Sequence, residues 1–148
     1  MAQRALRTVR RPGLSYRRIV VPLVAGEESE AAMALAAELA DEHGTSIYAV
    51  AAIELPPQLP LDAHMLEEEA AARRVLDAGR EIAGARGVRI RTRVVRTREA
   101  GEAIVAEAKD ADADLIVLHA HRTPRLGRTV KHVLHHAPCR VLLAAPSP

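Results

Sequence analysis

Short apolar runs alternate along this chain with longer segments whose apolar positions recur at helical spacing. Residues 18–24 (RIVVPLV) and 113–118 (ADLIVL) are continuously apolar, which is typical of strands buried on both faces. Residues 45–53 and 140–145 predict two further strands. Residues 88–95 (VRIRTRVV) alternate between apolar and mostly basic positions, which predicts a strand that is wet on one side and near a sheet edge. The chain therefore contains five predicted strands.

Helices are predicted between these strands. The first follows a break at Gly26, can be capped by Ser29, and is expected to end near His43 and Gly44. Residues 54–62 contain three prolines and predict a loop, because proline is excluded from the interior of helices and central strands. The remaining predicted helices span residues 63–85, 99–110 and 128–136.

This alternation predicts an α/β fold, a doubly wound five-stranded parallel sheet with helices on both faces. The first and fourth strands are the most hydrophobic, and placing them side by side requires the strand order 3-2-1-4-5. That order creates a switch point between them. Ligands of open α/β sheets bind there, outside the carboxyl ends of the strands. The residues expected to face this crevice are 22–26 and 119–127.

The length of 148 residues is that of one domain, assigned to residues 16–148 after a basic leader, 1–15, that we expect to be flexible. Arginines crowd this leader, although the formal net charge of the chain is only +2. A basic arm can bind nucleic acid, but Tyr16 and Tyr48 are the sole aromatic residues, so the stacking platform of single-strand binders is missing. We therefore expect no nucleic-acid partner.

Cys139 is the single cysteine, so no intramolecular disulfide can form and a cytoplasmic location fits. We expect its thiol to be a packed small group rather than a reactive one. No apolar run approaches the length of a membrane span.

Familiar catalytic motifs are missing from the sequence. There is no GxGxxG or GxxxxGK[ST] loop, no serine elbow and no paired carboxylates, so we predict that the chain is not an enzyme. His119 and His121 end the fourth strand, and His132 and His136 have the spacing that puts two imidazoles on one helix face. Because no Glu or Cys completes a ligand set nearby, a polar helix face is preferred over a metal site.

The segment HRTPRLGRT has a different character. It contains Arg122, Arg125 and Arg128, with Gly127 and Thr129 at the start of a predicted helix. Free backbone N–H groups at a helix amino end, together with guanidinium groups, can hold a phosphate. A solvated basic loop that only caps the helix is the alternative, and the residues leave both interpretations open.

Three segments carry a resemblance to a known family. YRRIVVPL, GEAIVAEAKDADADLIVL and GRTVKHVLHHAPCRVLLAA look like the universal stress protein superfamily, and the resemblance extends over residues 16–145. It implies the sheet order given above, homodimers and, in one subgroup, an ATP or AMP site.

The nucleotide-binding members carry the pattern Gly, two residues, Gly, nine residues, Gly, then Ser or Thr. In this chain Gly127 matches the third glycine, Arg128 stands at the Ser/Thr position, and Thr129 follows it. His119 and Arg122 stand where the first two glycines belong. The nucleotide pattern is therefore degenerate.

Those members also carry an Asp that contacts adenine at the end of the first strand. Val24 stands there in this chain, while Pro22, Leu23 and Ala52 would still line the pocket. The resemblance thus implies a non-catalytic regulatory protein of the stress response that senses a nucleotide or another phosphorylated ligand weakly. ATP, AMP or a cyclic nucleotide is the expected ligand.

An alternative function comes from a similarity to stress-protein domains attached to, or encoded with, membrane transporters. In that case the chain is a ligand-free interaction module that regulates a transporter or another partner.

The last strand predicts how the chain assembles. It is expected at a sheet edge, and it is apolar without a proline or lysine to block pairing. Pairing of this strand with its own copy across a two-fold axis gives the homodimer that the resemblance implies. The residues of this predicted dimer edge are Arg140, Val141, Leu142, Leu143 and Ala144.

Overall fold

The structure is a computed structural model that describes residues 16–24, 29–40, 44–120 and 126–145. Its strands are Arg18–Leu23 (β1), Ser46–Glu54 (β2), Arg89–Thr97 (β3), Leu115–His119 (β4) and Arg140–Ala144 (β5). Its helices are Glu30–Leu39 (α1), Leu66–Gly84 (α2), Ala100–Asp110 (α3) and Arg128–His136 (α4). The predicted leader, residues 1–15, lies outside the described residues.

All five strands are parallel and form one sheet in the order β3-β2-β1-β4-β5. In this register Ile19 of β1 lies between Ile47 of β2 and Leu115 of β4. The predicted fold class and strand order are therefore confirmed. The reason is physical, since the two continuously apolar strands are the ones that the sheet and its helices enclose most completely.

Helices cover both faces of the sheet, because alternate side chains of a strand point to opposite faces. The core layer beneath α1 and α2 includes Ile19, Val21, Met33 and Leu76. The layer beneath α3 and α4 includes Val20, Ile104, Ile116 and Val133. Both layers are aliphatic, as expected from a chain without Phe or Trp.

The basic positions of β3 lie at the outer edge of the sheet, as the alternating pattern predicts. Arg89, Arg91 and Arg93 are all exposed. The guanidinium of Arg91 lies 5.9 Å from the centre of the Tyr48 ring, and that of Arg93 lies 3.3 Å from the Glu107 carboxylate. Charged side chains of this kind protect an edge strand from pairing with other chains.

Asp114 fastens the start of β1 to the start of β4. Its carboxylate accepts hydrogen bonds from the backbone N–H groups of Arg17, at 2.8 Å, and Arg18, at 3.2 Å. The Asp114 N–H in turn donates to the carbonyl oxygen of Arg18, at 3.0 Å. The two strands that flank the switch point are thus aligned from their amino ends.

The first helix ends earlier than predicted. It stops at Leu39 instead of near His43 and Gly44, of which His43 lies outside the described residues. Ala40 is extended, with φ −78° and ψ 142°, and forms an isolated parallel bridge with Tyr16. The chain therefore leaves the helix to pair with the segment before β1, and this pairing overrides the stop signal of the glycine.

None of the helices in the ranges described above is both long and apolar enough to cross a membrane.

The packing of α3 against α4 depends on a glycine. A Cβ atom built at Gly101 would lie 2.8 Å from the Cβ of His132, closer than real Cβ contacts. We expect Gly101→Ala to destabilise the protein by about 1–3 kcal/mol, because the two helices would have to separate. Thermal or urea denaturation measures this change.

Gly84 provides the matched control, since a Cβ there would have no heavy atom within 4 Å. Gly84→Ala should leave the stability unchanged or raise it by up to about 1 kcal/mol, because alanine favours a helix. Equal effects of the two substitutions would contradict the helix contact as the cause.

Candidate functional site

A cavity of about 690 Å³ opens at the carboxyl ends of β1 and β4, where the sheet order reverses. Nine residues are predicted from the sequence to bind the ligand, and one of them, Arg122, lies outside the described part of the chain. The other eight all line this cavity: Pro22, Leu23, Val24, Ala52, His119, Gly127, Arg128 and Thr129. The structure thus brings together residues from β1, β2, β4 and α4, while binding by them stays a prediction.

The end of β1 forms one wall. Pro22 and Leu23 are buried and Val24 is half exposed. The fully buried hydroxyl of Ser29 accepts a hydrogen bond from the Val24 N–H at 2.9 Å and lies 3.4 Å from the Val24 carbonyl oxygen, to which it can donate. Ser29 was predicted as a helix cap, but its side chain makes no capping hydrogen bond. Its hydroxyl instead fixes the backbone of Val24 beside the cavity.

The floor of the cavity is apolar. Val50, Ile104 and Leu118 contribute branched side chains, and Ala52 contributes a small one that leaves space above β2. A surface of this kind suits a flat, weakly polar group, because burying such a group releases water from both surfaces. Val50, Ile104 and Leu118 also belong to the core layer beneath α3 and α4. The floor is therefore a continuation of the core.

The amino end of α4 forms the opposite wall. Gly127 precedes the helix in an extended conformation, with φ −66° and ψ 165°, and provides no side-chain cap. The first intrahelical bond runs from the Lys131 N–H to the Gly127 carbonyl at 3.0 Å, so earlier N–H groups of the helix have no partner within it. These groups and the Arg128 guanidinium favour negative charge at this end.

Glu54, the last residue of β2, is a cavity residue that the sequence analysis missed. Its Oε2 accepts a hydrogen bond from the Ala100 N–H at 2.9 Å, at the start of α3. The same oxygen lies 3.9 Å from Nη2 of Arg128. The sequence analysis predicts a loop over residues 54–62 and gives Glu54 no role. The only sequence signal for such a role is its position at the carboxyl end of a strand beside the switch point.

Two of the histidines that could bind a metal, His132 and His136, lie side by side on α4. The rings of His132 and His136 are 4.4 Å apart between centroids, as their helical spacing predicts. Among the described residues, however, no group of three or more His, Cys, Asp or Glu side chains could hold a metal ion. His132 instead packs against Gly101.

Cys139 precedes β5 and is half buried. Its burial and, secondarily, the negative charge of Asp114 raise the pKa of the Cys139 thiol above its usual value. Both causes favour the neutral thiol over the reactive thiolate. This environment agrees with the prediction of a packed small residue.

Two smaller clefts lie along β3, with volumes of about 470 and 300 Å³. Their linings combine arginines with carboxylates, and Arg96 pairs with Glu69 across the first of them. Neither cleft lies at the switch point. The cavity between β1 and β4 is therefore the candidate ligand site.

The sheet order and the position of the cavity place the chain among the open α/β folds, in which the topological switch point is the usual position of a ligand site. The universal stress protein family model matches residues 15–145 of the sequence. The chain therefore belongs to the universal stress protein family. No curated protein sequence matches it.

Solved structures agree with this assignment. The universal stress protein from Archaeoglobus fulgidus is 22% identical, with a TM-score of 0.74, and the match covers 89% of this chain and 96% of that one. Its structure in complex with dAMP is 23% identical, with a TM-score of 0.71 and coverage of 87% and 98%. A universal stress protein in complex with cAMP is 20% identical, with a TM-score of 0.68 and coverage of 88% and 97%. These similarities establish the fold of the chain.

Proposed function

We propose that this protein is a non-catalytic stress-response regulator that senses an adenine nucleotide, weakly, in the cavity between β1 and β4. The observation that carries the proposal is the combination of an apolar floor with a positively polarised wall, formed by the amino end of α4 and Arg128. The floor suits a nucleobase, and the wall suits a phosphate. Family membership and the dAMP and cAMP complexes of similar proteins support this choice of ligand.

Weak binding follows from the wall formed by β1. Val24 lines the cavity where the nucleotide-binding members of the family carry an Asp that contacts adenine. Its side chain is aliphatic, so the hydrogen bond from the base to a carboxylate is missing. A hydrogen bond to a charged group contributes about 1.5–3 kcal/mol, and its loss weakens binding about tenfold or more. We therefore expect dissociation constants above the micromolar range.

Two measurements together test the proposal. The purified protein is denatured, the supernatant is analysed for nucleotides, and ATP, AMP and cyclic AMP are then titrated by calorimetry. Arg128→Ala should weaken binding about tenfold, because a guanidinium contact to phosphate is lost.

Arg89→Ala is the control for the loss of one positive charge. Arg89 is exposed at the start of β3, at the amino end of the sheet and away from the cavity. This variant should bind like the wild type. The absence of both released nucleotide and binding heat would refute the proposal.

We further propose that the working form is a homodimer that pairs through β5. This strand lies at the outer edge of the sheet, next to β4 only. Leu142 and Leu143 are 37% and 36% exposed there, on opposite faces of the strand. An unprotected apolar edge of this kind favours pairing with a second copy.

A further inference from the structure

Glu54 lies where the two helices beside the cavity begin. Its Oε2 receives the Ala100 N–H of α3 at 2.9 Å and faces the Arg128 guanidinium of α4 at 3.9 Å. Both of these contacts fall on Oε2, and the carboxylate has a second oxygen, Oε1, which is also able to accept a hydrogen bond. The side chain of Glu54 is 44% exposed, which keeps it accessible to a ligand.

This carboxylate changes the charge of the candidate site. Among the described lining residues, Glu54 is the sole carboxylate, and Arg128 is the sole arginine or lysine. Their charges are opposite, and the Arg128 guanidinium that would bind a phosphate already lies 3.9 Å from the Glu54 carboxylate. A phosphate held at Arg128 would therefore lie close to a negative charge.

We propose that Glu54 is a specificity-determining residue that selects nucleotides of low negative charge, a monophosphate or cyclic monophosphate, over the triphosphate. This inference rests on the proposed nucleotide function of the cavity. Each additional phosphate adds negative charge that Glu54 repels, whereas a ribose hydroxyl or a base amino group can donate to Oε1. The residue thus disfavours ATP and favours AMP or cyclic AMP.

Glu54 also has a structural role as the acceptor for the amino end of α3, and the experiment has to separate the two roles. Glu54→Gln keeps a carbonyl oxygen that can accept from the Ala100 N–H while removing the negative charge. Glu99→Gln is the matched control. Glu99 is the exposed residue that immediately precedes α3 and does not line the cavity. Its substitution removes the same charge from a position close to Glu54 in space.

The affinities for AMP, cyclic AMP and ATP are measured by calorimetry without divalent cations, for the wild type and both variants. We expect the wild type to prefer AMP and cyclic AMP over ATP. Glu54→Gln should shift the ratio of the ATP and AMP affinities toward ATP by about fivefold, as expected of a few charges separated by roughly 10 Å in a partly screened site. The shift should grow as the salt concentration is lowered.

Glu99→Gln should leave this ratio within about twofold of the wild-type value. If Glu54→Gln changes the affinities for ATP and AMP by the same factor, the residue is only a helix cap and the inference is wrong. If no nucleotide binds to the wild type or to either variant, the proposed function itself fails, and the inference fails with it.

Discussion

Replacing Ile116 with alanine should lower the free energy of unfolding by about 2–5 kcal/mol, the range for truncating a fully buried aliphatic side chain. Ile116 is 0% exposed in β4, where it lies beside Val20 of β1. Its side chain belongs to the core layer beneath α3 and α4. The cost should be near the upper end of this range, because a rigid sheet with helices packed on it cannot collapse around the cavity that is left.

Leu66→Ala removes the same number of carbon atoms from an exposed site and is the matched control. Leu66 is 72% exposed at the first position of α2, so its truncation should cost less than about 0.5 kcal/mol. Urea denaturation followed by circular dichroism measures both variants. If Ile116→Ala cost no more than Leu66→Ala, β4 would not be part of the core that the structure describes.

The fold was predictable because its strongest signals are local. A continuously apolar run such as residues 113–118 fits a strand enclosed by helices, and the alternating run in β3 fits an edge. The strand order followed from placing the two most apolar runs side by side. The burial of each strand follows its pattern of apolar residues, so the sequence contains enough information to predict the topology.

The ends of elements were less predictable, because they depend on contacts distant in the sequence. The end of α1 is decided by the bridge between Ala40 and Tyr16, two residues far apart in the chain. The role of Ser29 is decided by the backbone of Val24, which competes successfully with the helix for the hydroxyl. Local signals for helix caps and stops contain no information about such partners.

The same limit explains what the sequence revealed of the candidate site. Topology predicted the carboxyl ends of the strands as its location, and the basic segment before α4 suggested anion binding. A role for Glu54 could not be predicted from the sequence, because it depends on contacts with Arg128 and Ala100 that form only when the sheet and both helices have folded. A carboxylate at the end of β2 has no local motif.

The charge of the cavity and the packing of its helices are connected. Gly101 allows α3 to approach His132 of α4 near the start of α3, and the first residues of both helices, Ala100 and Arg128, line the cavity. Glu54 contacts both helix starts at that point. The glycine is therefore expected to support the geometry of the candidate site as well as stability.

Substituting both Leu142 and Leu143 with aspartate should convert the proposed dimer into a monomer. In the proposed dimer, two copies of β5 pair across a two-fold axis, so each double substitution removes four leucines from one interface. About a third of each leucine remains to be buried there, which contributes roughly 0.5–1 kcal/mol per leucine, and the introduced carboxylates also repel one another, so dimer dissociation should increase at least about a hundredfold. Sedimentation equilibrium over a range of concentrations measures this change.

The monomer should remain folded, because both leucines are already more than a third exposed on the outermost strand. Leu61→Asp combined with Leu66→Asp is the matched control, since Leu61 is 47% exposed in the loop before α2 and Leu66 is 72% exposed at the first position of α2, both away from β5. The control should associate like the wild type, and circular dichroism should show native secondary structure for both double variants. A folded β5 variant that still dimerises with wild-type affinity would place the interface on another surface, whereas a wild type that is monomeric at all concentrations would exclude the proposed homodimer.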